Sequence, residues 1–584
     1  MVLSSASRTN PKLLILEFGL TAIATATAFA WPQLCASVFR QVEAAFGRLA
    51  RRKGLASISV GLSAILVRLA ILPWFPVPLP FVPDDFSFLL ASDTFAHGRL
   101  ANPTPAMWIH FESIHITMKP TYMSMYFPGQ GLLLAAGQAF LGHPWVALLI
   151  ADGLFCAALC WMLQAWLPAN WAMLGGWIAV IRLGLFSDWI NTYHTAGSLA
   201  ALGGALILGG LPRLIKTARF RYGLLMGIGV VLVEYTRPYE GLFLCIPAAV
   251  VIVHWAMKGK NRPSAMVLMR RAALPMAIVA AGGAWMGYYD LKAFGKVTTL
   301  PYTVDRAQYA IAPYYVWQSP RPEPHYRYEV IRSFYQKEKG EMGFYSQIHS
   351  IRGFIPYTLE KAAFTMLFYA GLLLLPPLIM VHYVFLDRRI RFLLICVLFL
   401  VAGLLIEIYL LPHYVAPFVS VFYAIGLQMM RHLRLWKPEG RQMGLAMVRW
   451  TVALCVILGG LRLFADPLHM TPPEWPPSNW NFVWFGPGHF GVERAQIESR
   501  LEQLPGPQLV IVRYEPDHNP LDEWVYNAAN IDDSKVIWAR EMDAADNLEL
   551  LRYYRGRRVW LVEPDATPVR ITPYPMAAAA TAAH

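Results

Sequence analysis

Apolar runs of about 20 residues recur along this chain, and each is long enough to cross the hydrocarbon core of a bilayer as a helix. Only 15% of the 584 residues are charged, whereas soluble domains carry about 25% charged residues. A first run covers residues 13–34, and the later runs lie at 58–74, 144–167, 171–188, 194–211, 222–236, 240–257, 272–289, 361–384, 391–409, 414–430 and 446–464. The pattern predicts a polytopic α-helical membrane protein with about 11 core spans and an extra N-terminal hydrophobic helix.

The basic residues predict how these spans are oriented. The chain has a formal net charge of +13, and its lysines and arginines concentrate in short loops between apolar runs. The positive-inside rule places such loops in the cytoplasm. Four loops agree on one orientation, and they carry Arg213, Lys216, Arg219 and Arg221; Lys258, Lys260, Arg262, Arg270 and Arg271; Arg388, Arg389 and Arg391; and Arg431, Arg434, Lys437 and Arg441. The charge excess therefore indicates membrane topology rather than nucleic-acid binding.

This orientation divides the chain into three regions. Residues 1–54 join the N-terminal hydrophobic helix to a basic amphipathic segment. Residues 55–464 form a transmembrane domain with extracytoplasmic loops at 78–131 and 290–357, and residues 465–584 form a C-terminal domain on the same side. Strand-like runs that alternate with helical patterns predict a small α/β layer in that last region, with strands at 509–512, 536–538 and 559–562 and helices at 491–504 and 547–554.

Two adjacent carboxylates, Asp84 and Asp85, stand where the first core span ends. Such a pair at a membrane surface costs solvation energy unless water, cations or a substrate meet it. A functional role is therefore favoured over a purely structural one. The loop that follows is rich in polar and aromatic side chains, among them His110, His115, Lys119, Tyr122 and Tyr126.

Further ionisable and aromatic residues lie at turns on the same side of the predicted membrane. They are His194, Arg237, Glu240, His413 and Tyr414. Ionisable residues at the edges of spans are candidates for function. Taken singly, each also fits a structural role as a helix cap, a snorkelling side chain or an interfacial anchor. Taken together, they predict a cavity that opens outward at the membrane edge.

Such a cavity can take one substrate from the bilayer and another from water. A lipid phosphate that leaves during a transfer reaction needs cations, and we expect Lys119, Arg237, His110 and His115 to supply them. An acceptor hydroxyl needs a general base, for which Asp84 or Asp85 is the candidate. The sequence has no Ser-His-Asp or Cys-His set with recognisable spacing, so we expect a single displacement that inverts the anomeric centre. The predicted substrate-binding residues are Tyr122, Tyr126, His194, Glu240, His413 and Tyr414.

The order of these features resembles the GT-C class of membrane glycosyltransferases, which includes the protein O-mannosyltransferases and the lipid A aminoarabinose transferase. The resemblance covers residues 55–465 and rests on the acidic pair, on the first loop with Lys119–Tyr122 and Tyr126–Gly129, and on Thr236–Gly241. The acidic motif of the class is usually Asp-Glu, and here it is Asp84-Asp85. Lys119-Pro120 is similar to a Lys-Pro in the first loop of the aminoarabinose transferase, which implies a contact with the donor phosphate.

The resemblance implies transfer of a sugar from a polyprenyl-phosphate-linked donor to an acceptor hydroxyl or phosphate on the extracytoplasmic face. The expected partners are the lipid-linked donor, bilayer lipid, and a glycan, lipid or protein acceptor. The expected location is a bacterial inner (plasma) membrane with the active site facing the periplasm. No cofactor is firmly implied: the two aspartates could bind a divalent cation, but they are too few ligands to define a metal site.

Three other functions remain open from the sequence. A secondary transporter would show internal repeats and broken helices that meet at mid-membrane, and neither is visible. An O-antigen-ligase-like or polymerase-like enzyme would share the outer-face chemistry without requiring an acidic pair after the first core span. A non-catalytic membrane scaffold would tolerate the loss of Asp84.

Overall fold

The computed structural model describes residues 11–259, 262–336, 340–371, 375–464, 467–468 and 491–575. Helices dominate up to residue 464, and a small sheet with two helices forms the described C-terminal part. The helices up to the second long loop are α1 Pro11–Ala30, α2 Ala36–Arg51, α3 Lys53–Ala70, α4 Pro83–Ala96, α5 Pro128–Leu141, α6 Pro144–Trp166, α7 Ala169–Ala179, α8 Asp188–Asn191, α9 Gly197–Thr217, α10 Phe220–Glu234, α11 Pro238–Lys258 and α12 Ala265–Phe294.

The remaining helices complete the membrane domain and cover the C-terminal sheet. They are α13 Pro301–Tyr309, α14 Glu329–Gln336, α15 Glu341–His349, α16 Ile351–Tyr369, α17 Leu375–Leu378, α18 Val381–Leu386, α19 Arg391–Ile406, α20 Val419–Arg434, α21 Met443–Leu463, α22 Val492–Gln503 and α23 Ala544–Tyr553. The strands are β1 Ile116–Thr117, β2 Met123–Ser124, β3 Gln508–Val512, β4 Val536–Arg540, β5 Arg558–Glu563 and β6 Arg570–Pro573.

The protein is a multi-pass membrane protein, which confirms the predicted fold class. Within the described ranges, 8 helical segments are long and apolar enough to cross a bilayer: Lys53–Ala70, Pro144–Trp166, Ala169–Asn191, Gly197–Thr217, Pro238–Lys258, Ala265–Phe294, Pro412–Arg434 and Met443–Leu463. Shorter apolar helices lie at Ile15–Ala30 and Arg391–Ile406. The run predicted at 361–384 is divided among α16, α17 and α18, and the run at 222–236 forms the 15-residue helix α10.

The helix α3 leads into the acidic pair and is held on two sides. A Cβ added at Gly61 would lie 2.6 Å from the carbonyl oxygen of Gly153, so only glycine allows α3 to approach α6 this closely. At the other end of α3, the buried guanidinium of Arg68 donates to the carbonyls of Phe75 (2.7 Å) and Pro76 (3.1 Å). These bonds fix the path of the chain between α3 and α4.

The acidic pair lies in the first turn of α4, a helix that begins at Pro83 within the predicted extracytoplasmic connection 78–131. A short 3₁₀ turn at Trp108–Phe111 and the antiparallel pair of β1 and β2 follow, before α5 begins. The first long loop is therefore an ordered layer on one side of the membrane domain, called here the loop side.

The C-terminal sheet has the strand order β4-β3-β5-β6, with β3 parallel to β4 and β5, and β6 antiparallel to β5. This arrangement confirms the predicted small α/β layer and adds a fourth strand to it. One face of the sheet shares a hydrophobic core with the first long loop, formed by Leu90, Phe111, Ile116, Met118 and Tyr122 against Leu509, Ile511, Ile537 and Leu561. The C-terminal domain thus packs directly on the loop that follows the acidic pair.

Candidate functional site

The first turn of α4 places Asp84 and Asp85 where the helix exposes its free backbone N–H groups. Carboxylates are favoured at this position because the N-terminal end of a helix carries a partial positive charge. Pro83, at the first helical position, costs no hydrogen bond there. The local sequence therefore stabilises two carboxylates side by side, and the structure then gives them different surroundings.

Asp85 is fully buried and hydrogen-bonded through both oxygens. One oxygen accepts from the backbone N–H of Phe81 at 3.3 Å. The other accepts from the backbone N–H of Tyr193 and from Nδ1 of His194, each at 2.8 Å. The side chain of Asp85 therefore ties the start of α4 to the segment 193–195, which precedes α9.

Asp84 is only partly enclosed, with 17% of its side chain exposed. Its Oδ1 accepts hydrogen bonds from the His115 Nδ1, at 2.9 Å, and from the Tyr126 hydroxyl. No side chain in the described ranges donates a hydrogen bond to its Oδ2. One oxygen of Asp84 is thus held by two side chains, and the other by none of those described.

Asp84 and His115 shift each other's pKa in opposite directions. Burial raises the pKa of Asp84, but the charge and hydrogen bond of His115 outweigh burial and leave that pKa below its ordinary value. Burial lowers the pKa of His115, and Asp84 reverses this effect, so the imidazole pKa lies above its ordinary value. The pair therefore favours an ionised Asp84 next to a protonated His115.

His115 lies in a tight turn whose backbone is held from both sides. Its φ of 64° is in the left-handed region, which is uncommon for a residue with a side chain. The carbonyl oxygen of His115 accepts from the Ser87 hydroxyl at 2.6 Å and from the backbone N–H of Met125 at 3.2 Å. Contacts from α4 and from β2 and its flank thus hold the imidazole against Asp84.

Arg237 is a buried cation that contacts segment 193–195, to which Asp85 is hydrogen-bonded. It directly precedes α11, and its guanidinium lies 4.3 Å from the ring centre of Tyr414. Its Nη2 lies 3.4 Å from the carbonyl oxygen of Thr195, which follows His194. Glu240, in the first turn of α11, is also buried beside it.

Several buried polar atoms around these residues make no hydrogen bond with any described residue. They are Nε2 of His194, Nδ1 of His413, Nε of Arg237 and both carboxylate oxygens of Asp188. The imidazole rings of His194 and His413 lie 6.2 Å apart, and Nδ1 of His413 lies 3.8 Å from Asp188. Unsatisfied buried polar atoms are rare in proteins, so their clustering indicates a place for water or a polar ligand.

Tyrosine rings connect the carboxylate cluster to Arg237. The ring of Tyr302, in α13, lies 5.5 Å from that of Tyr126 and 5.3 Å from that of Phe127. The Tyr302 hydroxyl is also within electrostatic range of both Asp84 and Arg237. The sequence did not identify Tyr302 or Asp188, because nothing in the local pattern of either segment indicates these contacts.

The structure therefore brings together most of the site residues expected from the sequence: Asp84, Asp85, His115, Tyr126, His194, Arg237, Glu240, His413 and Tyr414. Three others lie elsewhere on the loop side. Lys119 is exposed, with its ammonium 4.2 Å from the ring centre of Trp108. His110 is enclosed against the C-terminal domain, where its Nδ1 lies 3.1 Å from the Arg540 carbonyl, and the Tyr122 hydroxyl donates to the Asn527 carbonyl at 2.9 Å.

The acidic pair offers few unoccupied oxygen atoms to a divalent cation. Calcium takes about six to eight oxygen ligands, whereas magnesium usually keeps several waters and binds one or two carboxylates together with substrate phosphates. Three hydrogen bonds occupy the two oxygens of Asp85, and Oδ1 of Asp84 accepts two more. No group of three or more His, Cys, Asp or Glu side chains within the described ranges could hold a metal ion.

No protein-family model matches the sequence, and a comparison with curated proteins finds no match. Several solved structures match. A crystal structure of the Archaeoglobus fulgidus oligosaccharyltransferase with Zn and sulfate is 12% identical, with a TM-score of 0.41 over 78% of this chain and 60% of that one. ArnT from Cupriavidus metallidurans is 14% identical in the apo state, with a TM-score of 0.45 over 86% of this chain and 92% of ArnT.

ArnT bound to undecaprenyl phosphate is similar to this chain at 13% identity and a TM-score of 0.44. This chain spans 60% of the length of the first of these oligosaccharyltransferase structures. An oligosaccharyltransferase and ArnT are therefore among the solved structures to which this chain is similar. At such low identities and TM-scores, the similarity carries no activity over to this chain.

Proposed function

We propose that this protein is a membrane glycosyltransferase that moves a sugar from a polyprenyl-phosphate-linked donor to an acceptor hydroxyl or phosphate. The observation that carries the proposal is the state of Asp84. It is a partly exposed carboxylate with one oxygen held by His115 and Tyr126 and the other, Oδ2, bonded to no side chain that the structure describes. A buried cation, Arg237, contacts segment 193–195, which is hydrogen-bonded to the neighbouring Asp85. This pairing of a base and a cation suits transfer from a phosphate leaving group.

In the proposed reaction with a hydroxyl acceptor, Oδ2 of Asp84 takes the hydroxyl proton. The acceptor oxygen forms a bond to the anomeric carbon while the bond from that carbon to the donor phosphate oxygen breaks. The phosphate leaves with the electron pair, and Arg237 offsets its negative charge. No group of the protein forms a bond to the sugar, so the anomeric configuration inverts. Asp85 takes no proton in this scheme and serves to hold segment 193–195.

The donor lipid would reach this site from the bilayer. Arg237 stands immediately before α11, a candidate membrane span, so a phosphate beside Arg237 can keep its polyprenyl chain among the spans. The Tyr126 ring contacts the Tyr302 ring, and Arg237 packs over the Tyr414 ring, so aromatic faces that a sugar ring could pack against lie beside both charged groups. Lys119 contacts Trp108 instead, and its expected contact with the donor phosphate stays a proposal.

We further propose that the site faces the periplasm of a bacterial inner membrane. Three spans support this orientation, because each has site residues at one end and basic residues at the other. The span α9 follows His194 and ends near Lys216, and α11 follows Arg237 and ends at Lys258. The segment that begins at Pro412 carries His413 and ends with Arg434. The positive-inside rule then puts the site on the extracytoplasmic side.

The test uses the full chain in lipid nanodiscs with radiolabelled polyprenyl-phosphate sugars, and it scores transfer to added acceptors and release of free sugar. We expect the wild type to consume at least one donor. Asp84→Asn should lower turnover by about 10²–10⁴-fold, the range typical of a lost general base. The exposed acid Asp517 provides a matched control, since Asp517→Asn should leave turnover unchanged. Full turnover in a folded Asp84→Asn protein would overturn the proposal.

A further inference from the structure

The C-terminal domain contacts the turn that carries His115, through two residues that precede the histidine. This turn, called here the His115 turn, comprises residues 112–116. Arg540 Nε donates to the carbonyl oxygen of Glu112 at 2.6 Å, and the hydroxyl of Ser113 donates to Glu523 at 2.8 Å. Ser113 also pairs with Ile116 across the turn. The side chains of Arg540 and Glu523, both from the C-terminal domain, thus bind the turn just before His115.

These two side chains are themselves fixed in place. Arg540 and Glu523 form an ion pair whose side chains are 1% and 2% exposed. The other oxygen of Glu523 accepts from the Tyr514 hydroxyl and from the backbone N–H of Val525, each at 2.8 Å. A buried ion pair is a costly way to gain stability, because desolvation offsets most of its attraction. The Arg540–Glu523 ion pair is therefore better explained by the position in which it holds the His115 turn than by a gain in stability.

The same domain also supports α4 behind the acidic pair. The ring of Tyr526 stacks on that of Phe86 with 4.6 Å between centres, and the guanidinium of Arg494 lies 4.9 Å from the Phe86 ring. Further along α4, the backbone N–H of Ala529 donates to Asp93 at 2.8 Å. The C-terminal domain therefore contacts both elements that meet at the Asp84–His115 hydrogen bond.

We propose that the C-terminal domain is a positioning device for the site, in which Arg540 and Glu523 set the His115 turn so that the imidazole holds Asp84. Its kinetic consequences rest on the proposed glycosyltransferase function. Arg540 and Glu523 are positioning residues, since they act on Asp84 only through His115. The left-handed backbone of His115 needs such support, because conformations of this kind persist only where the surroundings over-determine them.

Ser113→Ala and Arg540→Lys test this inference without changing any charge. The first removes the hydroxyl that binds Glu523, and the second removes the guanidinium N–H that binds Glu112. We expect each to lower kcat by about 10- to 100-fold with little change in the donor KM, as small misplacements of catalytic groups do. Ser534→Ala and Arg513→Lys are the controls, because they make the same chemical changes in the same domain away from the turn.

A second readout does not require activity. The groups that face His115 are Asp84, Tyr126, Asp305 and Glu341, and neither variant removes any of them. A change in the titration of His115 must therefore come from a displaced turn. This titration can be followed by NMR on nanodisc protein that carries carbon-13-labelled histidine. The signal of His115 is identified by its absence in His115→Gln. We expect both variants to move the His115 pKa down toward its ordinary value, and both controls to leave it unchanged.

The two readouts separate the possible failures. A shifted His115 titration with a reduced kcat supports the inference. If the titration shifts in both variants but the wild-type protein consumes no donor, the positioning role is supported and only the proposed function is overturned. An unshifted titration with wild-type kcat overturns the inference. A lower melting temperature with wild-type kcat and titration also overturns it, since Arg540 and Glu523 would then be only structural.

Discussion

Asp84 and Asp85 are adjacent and chemically identical, yet their surroundings separate them. Asp85 is enclosed and accepts three hydrogen bonds, whereas Oδ2 of Asp84 accepts none from the side chains that the structure describes. The environment of a carboxylate, rather than its type, decides whether it can exchange a proton. The His115 partner of Asp84 therefore determines the pH at which Asp84 can act as a base.

The pH dependence of turnover should show this coupling directly. A base works only when it is deprotonated, so donor turnover falls as the pH drops through the pKa of Asp84. His115 holds that pKa below its ordinary value, and burial opposes it. In His115→Gln, burial still raises the pKa of Asp84, but the imidazole charge that lowers this pKa is lost. The acid limb of the kcat profile should therefore move to higher pH, measured as donor turnover across a buffered pH series.

His349→Gln serves as the control for that series, because His349 is exposed and its described hydrogen bond is to its own helix. Its acid limb should match that of the wild type. An acid limb that stays in place in His115→Gln would mean that the base is a group other than Asp84. The acid limb of the kcat profile reports the titration of the coupled Asp84–His115 pair rather than of one residue. The direction in which the limb moves is therefore the decisive observation.

The sequence predicted that both aspartates matter but could not assign their different roles. Those roles depend on His194, 109 positions away from Asp85, and on His115, 31 positions away from Asp84. Arg237 was identified because a cation at a span end is conspicuous in an apolar sequence. Tyr302 was not, because a tyrosine in a polar loop carries no such signal.

At the scale of elements, membrane helices were readily predicted and α4 was not. A span is visible in the sequence because lipid selects for an unbroken apolar run. The helix α4 has buried residues around most of its circumference, from Phe86 and Phe88 to Ser92 and Thr94. A helix that is covered on all sides by other protein elements has no single apolar face, so its sequence shows no amphipathic period.

The junction between α5 and the turn before Arg237 depends on a glycine. The backbone N–H of Gly129 donates to the carbonyl oxygen of Tyr235 at 2.9 Å, and a Cβ there would lie 2.6 Å from the same oxygen. Gly129→Ala must therefore push α5 away from the segment that carries Arg237. We expect a lower melting temperature and a loss of donor turnover, measured on the same nanodisc preparation.

Gly460→Ala in α21 is the matched control, since an added Cβ there meets nothing within 4 Å. It should retain the melting temperature and turnover of the wild type. If Gly129→Ala behaves in the same way, the contact between α5 and Tyr235 does not position Arg237. A reduced turnover without a change in melting temperature would place the effect at the site rather than in the fold.

At the scale of the whole molecule, three separate parts of the chain meet on the loop side. Glu112 of the first long loop accepts hydrogen bonds from Tyr309 and Arg327 of the second loop, at 2.9 and 3.2 Å. Its carbonyl accepts from Arg540 of the C-terminal domain. The sequence predicted that these parts share one side of the membrane, because the charge bias of the other loops requires it. Their contacts could not be predicted, since they join residues far apart in the chain.

Because the two long loops and the C-terminal domain lie on one side of the membrane, we expect that side alone to be accessible from outside the cell. Asp517 is exposed on the C-terminal domain, and Lys437 is exposed in the basic loop after α20. In a background where the exposed Cys35 is replaced by serine, single changes Asp517→Cys and Lys437→Cys give one thiol on each predicted side. In sealed right-side-out vesicles, a membrane-impermeant maleimide should label the first variant at once and the second only after the vesicles are opened.

The reverse pattern would place the site in the cytoplasm and contradict the proposed orientation. Labelling of both variants in sealed vesicles would contradict the assignment of α20 as a crossing, because His413 and Lys437 flank that segment. The background protein without either new thiol sets the baseline, since four of its remaining cysteines are buried and Cys245 is partly buried. The expected pattern would fix Asp84, Arg237 and the C-terminal domain on the extracytoplasmic face, where a lipid-linked donor and an acceptor from solution can meet.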